Sequence, residues 1–245
     1  MKCNQNPSLM KKALLLSLSL AFLVLSCKNE ESEKPKVTYK TREAKPENAA
    51  DTSEIEIADL PIHISGTSYL IHPVGQYRVM DGTRKSGYSY ERGSFTVSNY
   101  GEFEITGYLK NLMVQEVASD SIRPLFDKPV LLQTATFLKS FADKTKNQLM
   151  VYSLADMDTN QDGKLDASDI RTLYLSEVGG NRMAKISPDY QELIDWNFIE
   201  SRNRLYFRTI EDTNKNGEFD KGDVLHYNFI DLLSPEWKVV EYKPV

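Results

Sequence analysis

The stretch R-L-Y-F-R-T-I-E-D-T-N-K-N-G-E-F-D-K-G-D, Arg204 to Asp223, joins an alternating apolar segment to an acidic loop with a central glycine. Leu205, Phe207 and Thr209 alternate with Tyr206, Arg208 and Ile210, the period of a strand with one buried face. A helix leading into the same loop would bury the residues one, four, five and eight positions before it. Here those are Glu211, Arg208, Phe207 and Arg204. Three charges in four positions make a poor core face, and a strand is expected. The loop has a counterpart 54 residues earlier, D-T-N-Q-D-G-K-L-D-A-S-D at Asp158 to Asp169, preceded by the β-rich segment Asn147 to Ala155. There the helical template fits better, with Met157, Leu154, Ser153 and Met150 at the four positions, so a helical entry stays open.

Both loops offer oxygen at positions 1, 3, 5, 7, 9 and 12, with glycine at position 6 where the backbone must turn sharply. In the first these are Asp158, Asn160, Asp162, the carbonyl of Lys164, Asp166 and Asp169, around Gly163. In the second they are Asp212, Asn214, Asn216, the carbonyl of Glu218, Asp220 and Asp223, around Gly217. Leu165 and Phe219 fill the apolar position 8. Hard oxygen donors without His or Cys point to Ca²⁺ rather than zinc or copper. Asp, Asn and Gly also mark ordinary turns, but two full matches in equivalent contexts favour two calcium sites. Asp at position 12 is one methylene shorter than the usual Glu, which implies weak sites with Kd of about 10⁻⁴ to 10⁻³ M. Asp158, Asp162, Asp166 and Asp169 against Asp212, Asp220 and Asp223 make the first loop the tighter binder.

The spacing resembles EF-hand loops, and dockerin modules that pair two such loops with Asp at position 12. That resemblance implies an alternative fold, a helical pair following a β domain and serving as a protein-interaction module. A second self-similarity favours strands. L-M-V-Q-E-V-A-S-D-S-I-R-P-L-F at Leu112 to Phe126 aligns without gaps with L-Y-L-S-E-V-G-G-N-R-M-A-K-I-S at Leu173 to Ser187 and with Y-N-F-I-D-L-L-S-P-E-W-K-V-V-E at Tyr227 to Glu241. Each reads as strand, turn and second strand, and similarity at such a period implies an array of supersecondary units. The units resemble blades of TolB-like or WD40-like β-propellers carrying calcium loops. The fold class expected is all-β: antiparallel repeats resembling propeller blades, arranged as an incomplete propeller or as a twisted stack of antiparallel sheets instead of a ring, with three repeats over residues 108–245 and an N-terminal β region over 61–107. In that region Ser68 to His72, Tyr77 to Met80, Ser94 to Val97 and Glu102 to Thr106 are strand-like.

The N-terminus sets the compartment. Lys11 and Lys12 precede an apolar run from Ala13 to Leu25, too short for a spanning helix, and V-L-S-C ends at Cys27. This is the pattern of a secretory signal, and it resembles a bacterial lipoprotein signal, which implies removal of residues 1–26 and lipidation of Cys27. The following K-N-E-E-S-E resembles the tract that sends lipoproteins of Bacteroidota to the outer face of the outer membrane. Residues 27–60 are highly charged and poor in apolar clusters, which predicts a flexible tether of the order of 30 Å.

Loss of Lys2, Lys11 and Lys12 with residues 1–26 takes the formal net charge from −5 to −8, which argues against nucleic acid as a partner. Only Cys3 and Cys27 are present, so the mature chain has no disulfide. His63, His72 and His226 are dispersed and no nucleophile motif accompanies them. A propeller-type hydrolase is therefore the lesser reading. The expected function is that of a calcium-binding, membrane-anchored extracytoplasmic lipoprotein, a non-enzymatic binding or structural module meeting an envelope protein or an extracellular ligand. Tyr88, Tyr90 and Tyr100 are candidate sugar-stacking rings, whereas Trp196 and Trp237 are expected to pack between sheets.

Overall fold

The computed structural model describes residues 34–39, 54–78 and 96–245, all within one unit spanning Lys34–Val245. Leu149–Ala155 (L-M-V-Y-S-L-A) is a strand buried at every position, and its antiparallel partner Thr172–Glu177 is buried at all but the last. Their side chains divide between two cores. Met150, Tyr152, Leu154 and Tyr174 face one cluster with Ile71, Leu109, Leu112 and Leu132. Leu149, Val151, Leu173 and Leu175 face another with Phe141, Leu205, Phe207 and Ile230. A strand with core on both faces is apolar throughout instead of alternating.

In chain order the strands are β1 (Glu54–Ala58), β2 (Ile62–His63), β3 (Tyr69–Arg78), β4 (Ser98–Tyr100), β5 (Glu104–Glu116), β6 (Ile122–Pro124) and β7 (Leu131–Phe137). Helix α1 (Lys139–Thr145) follows, then β8 (Leu149–Ala155), β9 (Thr172–Glu177), β10 (Ala184–Lys185), β11 (Gln191–Ile199), β12 (Arg204–Glu211), β13 (Val224–Asp231) and β14 (Val240–Glu241). Among the described residues, β1 to β10 form one ten-stranded sheet and β11 to β14 a second, four-stranded one. Every pairing is antiparallel.

The all-β expectation agrees with this architecture, and the helical alternative does not. Both acidic loops connect adjacent antiparallel strands, β8 to β9 and β12 to β13. The lone described α-helix, Lys139–Thr145, lies outside them. The helical fit of Met150, Leu154 and Met157 arose because β8 is apolar on both faces, so its period carried no information. In β12 the alternation was informative: Leu205, Phe207 and Thr209 are buried while Arg204, Tyr206 and Arg208 are half-exposed.

The expectation of three blade-like repeats needs correction. Two four-stranded meanders form, β7–β8–β9–β10 and β11–β12–β13–β14, each with its acidic loop between the second and third strands. No closed ring or barrel forms among the described residues. The first aligned segment, Leu112 to Phe126, does make a hairpin, β5–β6, but β5 is thirteen residues long and also pairs with β3, β4 and β7. It joins the first meander to a larger sheet instead of starting a blade. The aligned hairpins share register in two cases, Val114 opposite Arg123 and Leu175 opposite Ala184. In the last, Phe229 pairs with Val240 and not with Lys238. The longer turn carries Trp237 onto the second core, under the Arg182 guanidinium 4.1 Å from its ring.

The residues expected to be a flexible tether contribute two ordered pieces, β1 and the extended segment Lys34–Tyr39. Cys3, Cys27, the apolar run before Cys27, Tyr88 and Tyr90 lie outside the described residues. Among the strand-like pieces of 61–107, Ser68 to His72 falls largely in β3 and Glu102 to Thr106 largely in β5.

The second sheet depends on its single buried face. Phe207→Ala, which empties a side chain only 2% exposed, is expected to cost about 3–5 kcal/mol in urea denaturation. A loss under about 1 kcal/mol would show that this face holds no close-packed core.

Candidate metal centre

The two loops repeat one hydrogen-bond pattern. In the first, Asp158 accepts from the amides of Asp162 (3.2 Å) and Gly163 (2.9 Å), while Asn160 Oδ1 accepts from Asp162 (2.8 Å). Asp162 Oδ1 then accepts from Lys164 (2.8 Å), Asp166 Oδ1 from Ser168 (2.9 Å) and Asp169 Oδ2 from Asp166 (3.0 Å). In the second, Asp212 accepts from Asn216 (3.2 Å) and Gly217 (2.7 Å), and Asn214 Oδ1 from Asn216 (2.9 Å). Asn216 Oδ1 accepts from Glu218 (2.8 Å), Asp220 Oδ1 from Gly222 (2.7 Å) and Asp223 Oδ2 from Asp220 (2.8 Å).

Backbone angles repeat as well. Gln161 (φ 59°) and Gly163 (φ 88°) match Lys215 (φ 57°) and Gly217 (φ 87°). Each loop thus wraps its own amides around the oxygens at positions 1, 3, 5, 9 and 12. In each loop the five side chains proposed from sequence, at positions 1, 3, 5, 9 and 12, accept amides of their own loop. Asp169 and Asp212 are buried, whereas Asp162, Asn214, Asn216, Glu218 and Asp220 are exposed. Burial pushes the Asp169 carboxyl above the usual carboxylate range, against the amide bonds that lower it and with Asp158 adding repulsion. Among the described residues, no three Asp, Glu, His or Cys side chains stand together as a metal group on their own. An ion in either loop would draw on Asn and peptide oxygens too, a mixed donor set that suits calcium.

Sequence reasoning missed the segment lying across both loops. The Lys36 amide donates to Ser168 O (2.9 Å) and that of Thr38 to Thr159 O (2.8 Å), both in the first loop. Between them the Val37 amide donates to Gly217 O in the second loop (3.1 Å). Thr38 Oγ1 donates to Asn160 O (2.9 Å), Thr159 Oγ1 to Lys36 O (3.0 Å) and Gln161 Nε2 to Thr38 O (2.9 Å). Val37 is buried at 4% exposure. Tyr39 places its hydroxyl 3.4 Å from Asp212 O and its ring 6.4 Å from that of Tyr190. Burial, with the carboxylate of Asp212 next in effect, pushes the Tyr39 phenol up to about 12. The available signal was the short run V-T-Y, β-formers in an otherwise charged stretch.

A pinned connection ties the first loop to the second sheet. Arg171, which follows the loop, donates from Nε to Glu192 Oε1 (2.6 Å) and from its amide to Glu192 Oε2 (2.7 Å). Its guanidinium also reaches Leu193 O (2.8 Å). Glu192 is buried, and that desolvation raises its pKa against the pull of Arg171.

The histidines do not converge into one site. His63 Nε2 lies 3.0 Å from Thr67 O and His72 Nε2 lies 3.1 Å from Gln115 Oε1. His226 sits between Glu211 (2.9 Å) and Glu241 (3.3 Å). Tyr100 is exposed on β4, and Trp196 and Trp237 pack partly buried against the second core. Comparisons of the chain with protein-family models, with curated proteins and with solved structures return no match.

The two loop glycines separate backbone strain from docking. A Cβ at Gly163 would meet nothing within 4 Å, whereas one at Gly217 would stand 2.5 Å from Val37 O. Both alanine variants lose stability because φ is positive, by about 1–2 kcal/mol. Gly217→Ala is expected to lose more, and equal thermal shifts for the two would show that the Val37 contact contributes nothing.

Proposed function

We propose that this chain is a calcium-binding, lipid-anchored protein of the bacterial cell envelope, a non-enzymatic binding or structural module in which two Ca²⁺ ions stiffen the hairpin loops. The observation that carries the reading is the repeated arrangement of Asp158 to Asp169 and Asp212 to Asp223, with the same amides turned onto the same positions and left-handed residues at the same two places. In ordinary Asx turns one side chain caps one amide. Here five side chains per loop are oriented by the loop's own backbone, which fits a ring of oxygens around a cation.

Asp158, Asn160, Asp162, Asp166 and Asp169 with the carbonyl of Lys164 would hold one ion. Asp212, Asn214, Asn216, Asp220 and Asp223 with the carbonyl of Glu218 would hold the other. Such an ion supplies charge neutralisation in a loop that otherwise repels itself. Because both loops close antiparallel hairpins, the role is structural. A sensor needs a bistable helix pair, and strands enter and leave both loops.

The anchor is proposed at Cys27, after a signal over residues 1–26, with display at the outer membrane and on the cell surface. Its support is the sequence pattern K-K, apolar run, V-L-S-C and acidic tract. The partner is an envelope protein or an extracellular ligand.

Titrating calcium into the protein should show two binding events and raise its melting temperature. Ten- to hundredfold saturation of one site adds about 1.4–2.7 kcal/mol. Asp158→Ala should abolish one event and leave the other. A melt unchanged at millimolar calcium would sink the proposal.

A further inference from the structure

Lys34–Tyr39 lies between the loops as a third strand lies between two neighbours, its amides alternating from one to the other. Its amides, the Thr38 hydroxyl and the Tyr39 hydroxyl donate to backbone oxygens of the loops, Thr159 O, Asn160 O, Ser168 O, Asp212 O and Gly217 O. None of these is a carbonyl expected to hold an ion, so the backbone of the segment and a cation do not compete for the same oxygens. The residues that receive the segment are also those that orient the expected ligands. The Thr159 amide donates to Asp169 Oδ1 (2.7 Å) while Thr159 O and Oγ1 bind Thr38 and Lys36. The Gly217 amide donates to Asp212 Oδ2 (2.7 Å) while Gly217 O binds Val37.

We infer that the two loops together form a calcium-dependent binding site for the chain's own Lys34–Tyr39 segment, a latch that takes up the membrane tether when both loops are loaded. The inference rests on the calcium reading of the loops and on the anchor at Cys27. Electrostatics alone does not explain the docking. Lys36 stands 4.0 Å from Glu218, with both side chains more than half exposed, a pairing that solvent largely screens. What holds the segment is a set of carbonyls in fixed positions plus a buried Val37, and both require the loops to be ordered. Ordering of both loops by their ions supplies that template.

The consequence is a change of reach. Closing the latch shortens the chain between Cys27 and the first docked residue from 26 residues, 28–53, to six, 28–33. Because coupling is reciprocal, the segment strengthens calcium binding by the same factor by which calcium strengthens docking, typically 5- to 150-fold.

Hydrogen exchange on the full chain, with calcium and with a chelator, tests this through the Val37 and Thr38 amides. At least about tenfold slower exchange with calcium is expected. In Val37→Asp those amides should exchange freely in either condition, while isothermal titration still finds two calcium ions bound about tenfold more weakly. Equal protection with and without calcium, in a protein that titration shows to bind two ions, would overturn the latch and leave the calcium reading standing. Free exchange in both conditions would overturn it as well. Absence of any calcium binding by titration would overturn the calcium reading itself, and the latch with it.

Discussion

The β8–β9 hairpin is the element on which the rest of the molecule depends, because it is buried on both faces and belongs to two cores at once. Tyr152 and Tyr174 close one core against Phe126 in edge-to-face contacts at 5.5 and 6.1 Å. Val151 and Leu173 close the other against the second sheet. A layer with apolar side chains on both sides cannot slip by one residue without exchanging the contents of both cores. Its register therefore positions the first acidic loop, which emerges from the end of this hairpin.

The second loop inherits its place from that constraint. Arg171, held on the buried Glu192 and on Leu193 O, links the exit of the first loop to β11, and β11 pairs with β12. β12 carries the second loop on a hairpin whose register closes at Glu211 opposite Val224. Two acidic loops that are far apart in sequence thus come to share one docked segment. Packing in the cores fixes the spacing between Ser168 O and Gly217 O that Lys36 and Val37 read. Neither loop presents that pair of acceptors alone.

Much of this was legible before any coordinates. The alternation in Arg204–Ile210 identified β12, and the three aligned segments marked hairpins that do form. The loop positions were readable because each needs a particular side-chain chemistry and a glycine at one place. The failures have separate physical causes. The segment Asn147 to Ala155 looked ambiguous because a doubly buried strand lacks a period. The ungapped alignment of the third hairpin missed a longer turn, because the placement of Trp237 over the second core is a tertiary contact. The short helix Lys139–Thr145 buries only Phe141 and Ala142, too little for a helical period to show in the sequence.

The sequence by itself determined the local chemistry: strands flanking two acidic loops, glycines where φ is positive, and oxygen donors at fixed intervals. These follow from covalent geometry and side-chain type over a dozen residues or fewer. Only the tertiary structure decided that, among the described residues, two meanders stop short of a ring, that β5 ties the first of them into a larger sheet, and that Lys34–Tyr39 crosses both loops. Each of those outcomes depends on surfaces made by residues distant in the chain. The last depends mainly on backbone carbonyls, which every residue carries and no sequence pattern distinguishes.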